Sequence, residues 1–187
     1  LFSFRVTRLA LHLLPFLLIL VHGPTWASPV LPLPINRLAA ESEVIIHGTV
    51  TGLSVQRDPE GRIFTKVTLD IRDAWKGHPE ARPFTIVHSG GILGNRWTAT
   101  DGEVQFKLGE EVVVFLVLNS RGEGVTIGMN QGKFKVHRDE AGDQAFAYNL
   151  FHGSRPAKPG TQKGYRFPTQ LPMSLESLKR RVTRQNL

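Results

Sequence analysis

The chain has 187 residues, a net charge of +7 at neutral pH and no cysteine. The length suits one domain with a sizeable hydrophobic core. The absence of cysteine excludes disulfide bonds, zinc–thiolate sites, a thiol nucleophile and a lipid-modified N-terminal cysteine. Burial of apolar side chains must therefore hold the folded domain together.

The N-terminal segment has the pattern of a secretory signal peptide. Arg5 and Arg8 precede a mostly apolar run over residues 9–21, and Thr25 and Ala27 supply small residues at the −3 and −1 positions of a cleavage site. A membrane span needs about 20 apolar residues, so we expect residues 1–27 to be cleaved rather than retained as a stable anchor. With no Asn-x-Ser/Thr sequon in the chain, these features predict export to the bacterial periplasm or the extracellular space.

The first part of the mature chain predicts a long β-hairpin. Residues 28–34 are a proline-rich lead-in, and Asn36 is expected to cap a short helix over residues 37–41. A β-branched run over residues 44–53 follows, in which Gly48 and Gly52 indicate bends or bulges. An Asp-Pro-Glu-Gly turn at 58–61 and a strictly alternating strand at 63–71 complete the predicted hairpin.

The second part of the chain predicts further short strands and one helix. A third strand begins at residues 83–88, a glycine-bearing loop spans residues 89–102, and the continuous apolar run at 112–118 is typical of a strand buried on both faces. The sequence places later strands at 125–128, 131–136 and 144–148, a flexible basic connector at 151–173, and a helix at 174–185 that Ser174 caps and whose apolar stripe is Leu175, Leu178 and Val182.

The predicted fold class is mainly β. Short strands joined by glycine turns suggest that residues 35–150 form a small antiparallel OB-like barrel, with a short N-terminal helix and an amphipathic C-terminal helix. Closure into a barrel would remove the exposed edges of apolar strands.

The order of several short motifs resembles that of a known family. The motifs are IHGTV at 46–50, IFTKVTL at 63–69, WKG at 75–77, the Gly90-Gly91 loop, LGEEVVVFL at 108–116 and NQGKF at 130–134. This order is similar to that of a family of small exported bacterial proteins of unknown function, over residues 38–136 and the C-terminal helix. The resemblance implies an OB-type barrel and, because members often accompany matrixin-like metalloproteases, a metalloprotease as a candidate partner. It brings no catalytic residues.

Two segments contain candidate binding residues. The loop at 89–102 offers backbone amides and polar or aromatic side chains, and the candidates there are Gly90, Gly91, Asn95, Arg96 and Trp97. The QGKF segment adds Gln131 and Lys133. A structural interpretation stays open for both segments, since glycine in the loop permits a sharp corner and Phe134 can fill the core.

Several other kinds of site lack the expected spacing. His88 and Ser89 do not lie in a Gly-x-Ser-x-Gly elbow, and the histidines show no metal-ligand spacing, so neither catalytic residues nor a metal or other cofactor is predicted. Phe64, Lys66, Lys133 and Lys135 could line a nucleic-acid groove, but export argues against that ligand.

The sequence therefore predicts an exported, non-enzymatic protein that binds or modulates another exported or envelope protein. The alternative is a module that binds a polyanion or cell-envelope glycan through the basic C-terminal region, which contains Lys179, Arg180, Arg181 and Arg184.

Overall fold

The computed structural model describes residues 31–99, 102–139, 144–153 and 173–184. The predicted signal peptide, the first residues of the lead-in and residues 154–172 of the predicted connector lie outside this part of the chain. The chain divides into two compact units, Leu1–Leu31 and Pro32–Leu187, and all elements below belong to the second.

Two helices, one 3₁₀ turn and ten strands make up the described fold, which is mainly β as predicted. The helices are α1 (Ile35–Glu41) and α2 (Leu175–Thr183), and the 3₁₀ turn is Met129–Gly132. The strands are β1 (Val44–Arg57), β2 (Ile63–Lys76), β3 (Phe84–Ser89), β4 (Gly91–Leu93), β5 (Arg96–Thr98), β6 (Glu111–Leu118), β7 (Gly124–Thr126), β8 (Lys133–Arg138), β9 (Ala145–Tyr148) and β10 (Met173–Ser174).

Eight of the strands belong to one large sheet with the order β1-β2-β3-β7-β6-β8-β9-β10. Strand β6 also pairs with β1, so the pairings β1–β2–β3–β7–β6–β1 form a cycle. Strands β4 and β5 form a separate two-stranded sheet. The pairing of β3 with β7, at Ile86 and Gly124, is parallel, whereas the sequence predicted only antiparallel pairs. The difference arises because the chain crosses over between these two strands instead of turning directly from one into the other.

Strand β1 joins β2 to β6, because it pairs with one of them along each of its edges. Its first half, Val44–Thr49, pairs with β6 throughout and with β2 from Ile45 onward, whereas its second half pairs with β2. Register shifts occur at His47/Gly48 and Val50/Gly52, which confirms the predicted irregularities at the two glycines. A Cβ on Gly48 would overlap the carbonyl oxygen of Asp70, so only glycine fits this close approach.

The apolar residues form two clusters on opposite faces of the sheet. One includes Ile46, Val114 and Leu116, and the other includes their chain neighbours Ile45 and Phe115. Because successive residues of a strand point to opposite faces, β6 is buried on both sides, as its continuous apolar run predicts. The second cluster also contains Leu38 of α1 with Leu178 and Val182 of α2, so the helices cover that face.

Two predicted helix caps can be compared directly with the structure. Ser174 caps α2 as predicted, because its Oγ accepts a hydrogen bond from the Ser177 N–H. The helix-capping role of Asn36 was wrong: α1 begins at Ile35, Pro34 occupies the N-cap position, and no side chain caps the helix. Proline holds φ near the helical value, which suits the start of a helix, and α1 begins two residues earlier than predicted. In the described ranges, no helix is both long and apolar enough to cross a bilayer.

Candidate functional site

The glycine-bearing segment after β3 is a β-hairpin rather than an irregular loop. Strands β4 and β5 pair through Leu93 and Arg96, which flank a two-residue turn at Gly94 and Asn95. Gly94 has φ of 62°. Asn95 has negative φ, because Met129 is the only described non-glycine residue with positive φ. Glycine with positive φ at the first central position is the signature of a type II′ turn, which matches the twist of a hairpin.

The hairpin presents two large apolar side chains to solvent. Ile92 and Trp97 are direct cross-strand partners, so their side chains lie on the same face, about 5 Å apart at Cβ. Ile92 is 67% exposed and Trp97 is 73% exposed. We call this pair the apolar knob.

Gly90 and Gly91 attach the hairpin to the main sheet. The Gly90 N–H donates to the carbonyl of Ile63 at 2.9 Å, and the Gly90 carbonyl accepts from Thr65 Oγ1 at 2.8 Å. A Cβ on Gly91 would overlap side-chain atoms of Val55 and Thr65. The two predicted glycines therefore position the hairpin against β1 and β2, while the exposed residues Asn95, Arg96 and Trp97 lie beyond them.

The hairpin carries a positive charge and no carboxylate. Arg96 is exposed and has no ion pair with any described residue. At the base of the hairpin, the Ser89 hydroxyl donates to Glu103 Oε2 at 2.7 Å, and His88 Nδ1 donates to the Ser89 carbonyl at 2.9 Å. These contacts differ from a serine–histidine dyad, in which the imidazole accepts the hydroxyl proton.

Gln131 lies inside the protein, away from the hairpin. Its Oε1 accepts from the Leu33 N–H at 2.7 Å, and its backbone carbonyl accepts from Asn149 Nδ2 at 2.8 Å. His152 donates to the Leu33 carbonyl at 2.9 Å and stacks on Phe134 at 5.7 Å between centroids. The chain segment before α1 is thus held by side chains from two distant segments.

Lys133 is also buried, with only 6% of its surface exposed. Its Nζ donates to Glu110 Oε2 at 2.5 Å and to the Gln105 carbonyl, and it lies 4.5 Å from the centre of the Phe106 ring. Burial lowers the pKa of Lys133, and the nearby Glu110 carboxylate opposes that effect.

The structure therefore brings together the five candidates near the hairpin and places Gln131 and Lys133 elsewhere, in internal contacts.

All three cations considered for a nucleic-acid face have carboxylate partners. Lys66 lies 3.0 Å from Glu123, and Lys135 lies 3.5 Å from Glu110, the partner of Lys133. Burial alone would raise the pKa of Glu123, but hydrogen bonds from Asn119, Lys66 and Arg121 outweigh it and lower the pKa to about 2. Paired cations attract a phosphate backbone less strongly than free ones.

A polar cluster that the sequence did not reveal lies at the start of β6. Glu111 accepts from His47 at 2.8 Å and from Arg138 at 2.7 Å, and Arg72 lies at 3.4 Å. Burial alone would raise the pKa of Glu111, but the hydrogen bonds from Arg138 and His47 lower it. The cluster joins β1, β2, β6 and β8, so its evident role is to connect strands. A carboxylate at the first position of an apolar run was the one sequence signal for it.

In the described ranges, no group of three or more His, Asp or Glu side chains is arranged to hold a metal ion. Comparison with protein-family models and with curated proteins found no match to this chain. The functional argument therefore depends on the geometry of the hairpin and of the strands beside it.

Proposed function

We propose that the protein is an exported, non-enzymatic binding module that docks on another exported or envelope protein through the apolar knob. The exposure of Ile92 and Trp97 is the observation that carries this proposal. Tryptophan is enriched among the residues that dominate protein–protein binding energy, because it fills a pocket with a large rigid surface. A tryptophan that is 73% exposed contributes little to the stability of the fold.

The hairpin is suited to binding because it is held in place before any partner arrives. The tight turn at Gly94 and the contacts of Gly90 and Gly91 with β2 restrict its backbone. A preformed binding element loses little conformational entropy on association, and more of the contact energy is then available as affinity.

A small OB-like barrel is the fold that we propose for the main sheet. The cycle of pairings through β1, β2, β3, β7 and β6 supports it, since an OB-type barrel is built from five strands. Barrels of this type bind ligands on the face of their second and third strands and at adjoining loops, and the hairpin directly follows β3, the third strand of the cycle. This likeness concerns the fold and does not by itself assign a partner.

The partner surface that fits the knob has an apolar pocket with an acidic border. The pocket would receive Trp97, and the acidic border would face Arg96. Because the family resemblance associates such proteins with exported metalloproteases, an exported metalloprotease is the first partner to test. Export itself rests on the sequence pattern of residues 1–27.

The test compares partner binding by the knob variant and by a matched surface variant. The full chain is expressed with its leader, recovered from the exported fraction and used to capture binding proteins, and the purified captured protein is then titrated by calorimetry. Replacing both Ile92 and Trp97 by serine should weaken binding at least 30-fold, because hot-spot residues contribute roughly 2 kcal/mol or more. The control is Leu108→Ser, which removes a similarly exposed leucine (69%) from the turn before β6, outside the hairpin. Equal affinities for the knob variant and the wild type would refute the proposal.

Ionic strength distinguishes this function from polyanion or glycan binding by the C-terminal helix. In α2, Lys179 pairs with Asp73 at 2.6 Å and Arg180 pairs with Glu176 at 2.8 Å, while Arg181 and Arg184 are exposed. An affinity that falls steeply with added salt and is lost in the double variant Arg181→Ala/Arg184→Ala would favour the polyanion. Binding through the knob should change little with salt.

A further inference from the structure

The second half of β1 has an exposed edge that the proposed docking of the knob does not use. Residues 52–57 pair with β2 along one side. On the other side, β6 pairs with β1 only as far as Thr49. The turn before β6 adds contacts to Val50: the Val50 N–H donates to the Glu110 carbonyl, and the Val50 carbonyl accepts from the Gly109 N–H. Beyond Val50, we call residues 52–57 the open edge.

The hydrogen-bond alternation of the hairpin shows which backbone groups point out from this edge. The Asp58 N–H donates to the Arg62 carbonyl at 3.0 Å, so the pairs two and four residues further on, Gln56–Phe64 and Ser54–Lys66, are the hydrogen-bonded ones. The pairs between them leave the N–H and C=O groups of Leu53, Val55 and Arg57 pointing away from β2. The bond from the Gly90 N–H to the Ile63 carbonyl supports this assignment. Ile63 is the partner of Arg57, and its carbonyl points away from β1, as expected for a pair without mutual hydrogen bonds.

No described residue bonds to these outward groups. The backbone hydrogen bonds outside the strand ladders involve Val50 and Asp58 at the two ends but none of the three residues between. Strand β4 comes close to β1, but Gly91 packs over the inward face at Val55 and Thr65, not along the edge. The outward N–H and C=O groups of three alternate residues are therefore left for a further strand.

The side chains around the open edge indicate the chemistry of such a strand. Leu53 is 44% exposed and Val55 is half-buried, so the middle of the edge is apolar. Arg57 lies at one end, and Lys107, in the turn that contacts Val50, lies at the other. Both cations are exposed and have no ion pair with a described residue. An apolar centre between two cations complements a segment with apolar residues in the middle and a carboxylate at each end.

We propose that the open edge binds an extended acidic segment of another protein as an added antiparallel strand. About six residues of the segment would cover the edge at a rise of about 3.4 Å per residue. Its backbone bonds to Leu53, Val55 and Arg57, and its apolar side chains lie beside Leu53 and Val55. Strand addition of this kind gives affinity through the main chain and selectivity through alternate side chains. A second copy of this chain is a poorer occupant, because two chains with the same excess of basic residues repel each other.

This surface is separate from the apolar knob, so either can fail without the other. The knob variant and the probes below address different residues. A partner that uses both surfaces would combine a pocket for Trp97 with an extended acidic segment.

The probe is a synthetic heptapeptide with capped ends, alternating valine and threonine, and a glutamate at each end. A second peptide has lysine in place of both glutamates. Amide hydrogen exchange of the full exported chain is followed by NMR with each peptide. The acidic peptide should slow exchange at Leu53, Val55 and Arg57 at least tenfold, whereas Ser54 and Gln56, already bonded to β2, should change little.

Charge reversal tests the selectivity with a matched control. Arg57→Glu should weaken binding of the acidic peptide at least tenfold and improve binding of the lysine peptide. Arg184→Glu makes the same change on α2, far along the chain, and should have no effect. Both arginines are exposed, so neither substitution threatens the fold.

Four outcomes would overturn the proposal. They are no binding at millimolar peptide, binding without protection of the three amides, equal binding of the two peptides, and protection that depends on protein concentration without peptide. The last outcome would identify a second copy of the chain as the occupant.

Discussion

The two halves of β1 belong to one continuous strand and have opposite roles. The first half, Val44–Thr49, is paired on both sides from Ile45 onward, and its residues up to Gly48 are buried. The second half, residues 52–57, is paired on one side, and its residues are exposed or half-buried. Since both halves are β-strand, the difference in burial comes from what lies beside each half. The first half is part of the core, whereas the second half and the nearby hairpin offer surfaces for binding.

The same division is visible in the two described tryptophans. Trp75, in the part of β2 that accompanies the first half of β1, is 6% exposed and donates its indole N–H to Asp73 at 3.0 Å. Trp97 lies on the hairpin and is 73% exposed. A residue type that is costly to leave in water is used once for stability and once, we propose, for recognition.

The largest expected contrast is between alanine substitutions of these two tryptophans. Trp75→Ala should lower the free energy of unfolding by about 4 kcal/mol, because it leaves a cavity in the core. Trp97→Ala should change it by less than about 0.5 kcal/mol, because little packing is lost. Urea denaturation followed by circular dichroism measures both. A loss of 2 kcal/mol or more in the Trp97 variant would mean that the knob is part of the core.

A second contrast compares aliphatic side chains within β1. Ile46 is fully buried, and Ile46→Ala should cost about 3 kcal/mol. Leu53 lies in the open half, and Leu53→Ala should cost less than about 1 kcal/mol, since nearly half of the side chain is already in water. Similar losses in both variants would show that the open edge is covered in solution.

The glycines of the two halves give a third contrast. Gly48→Ala should cost about 2 kcal/mol, because the new Cβ overlaps the backbone of Asp70, which cannot move without disturbing the sheet. At Gly52 the nearest atom to a new Cβ is the Thr68 hydroxyl oxygen at 3.0 Å, and a side chain can shift. Gly52→Ala should therefore cost less than about 1 kcal/mol. Thermal unfolding of the two variants checks the order, and a larger loss at Gly52 would contradict it.

The smallest expected effect extends the comparison to charge. Because the pKa of Glu123 is about 2 in the folded chain and 4.5 ordinarily, its contribution to stability is complete above pH 4.5 and is lost as the pH falls from 4.5 towards 2. Glu123→Gln should remove roughly 1–2 kcal/mol of this acid-induced loss. Denaturation midpoints between pH 2 and 7 measure it.

The control for that experiment is Glu176→Gln. Glu176 has its side chain 76% exposed on α2 and forms an i, i+4 pair with Arg180, which contributes little to stability. An identical pH profile for the wild type and the Glu123 variant would show that the contacts of Glu123 with Lys66, Asn119 and Arg121 do not stabilise the fold.

Much of the local structure could be predicted from the sequence. The turn at 58–61 is present, with the Gly61 N–H bonded to the Asp58 carbonyl at 2.9 Å, and the strand from Ile63 alternates between buried and half-exposed residues as far as Leu69. These features follow from interactions within a few residues. The helix cap at Asn36 was wrong for a local reason as well, since proline two residues before it competes for the same position.

The candidate site was predicted only in part. Asn95, Arg96 and Trp97 are exposed, but the hairpin that carries them was interpreted as a loop, because its strands have three residues each and a pattern that short has no clear period. Gln131 and Lys133 were grouped with them on the basis of residue type. Their burial depends on Leu33, which is 98 residues from Gln131, and on Glu110, which is 23 residues from Lys133.

By itself, the sequence determined the two strands of the first hairpin, the buried strand β6, the irregular positions of β1 and the apolar stripe of α2, since period and backbone sterics act over short distances. Tertiary structure alone decided that β3 and β7 pair in parallel, that Lys133 is buried, and that β6 leaves β1 at Val50. Those outcomes depend on which distant segments meet, and the free energy of such contacts is not written in any one segment. The open edge is the clearest case: residues 52–57 have an ordinary strand sequence, and the end of β6 leaves one side of this strand unpaired by any described residue.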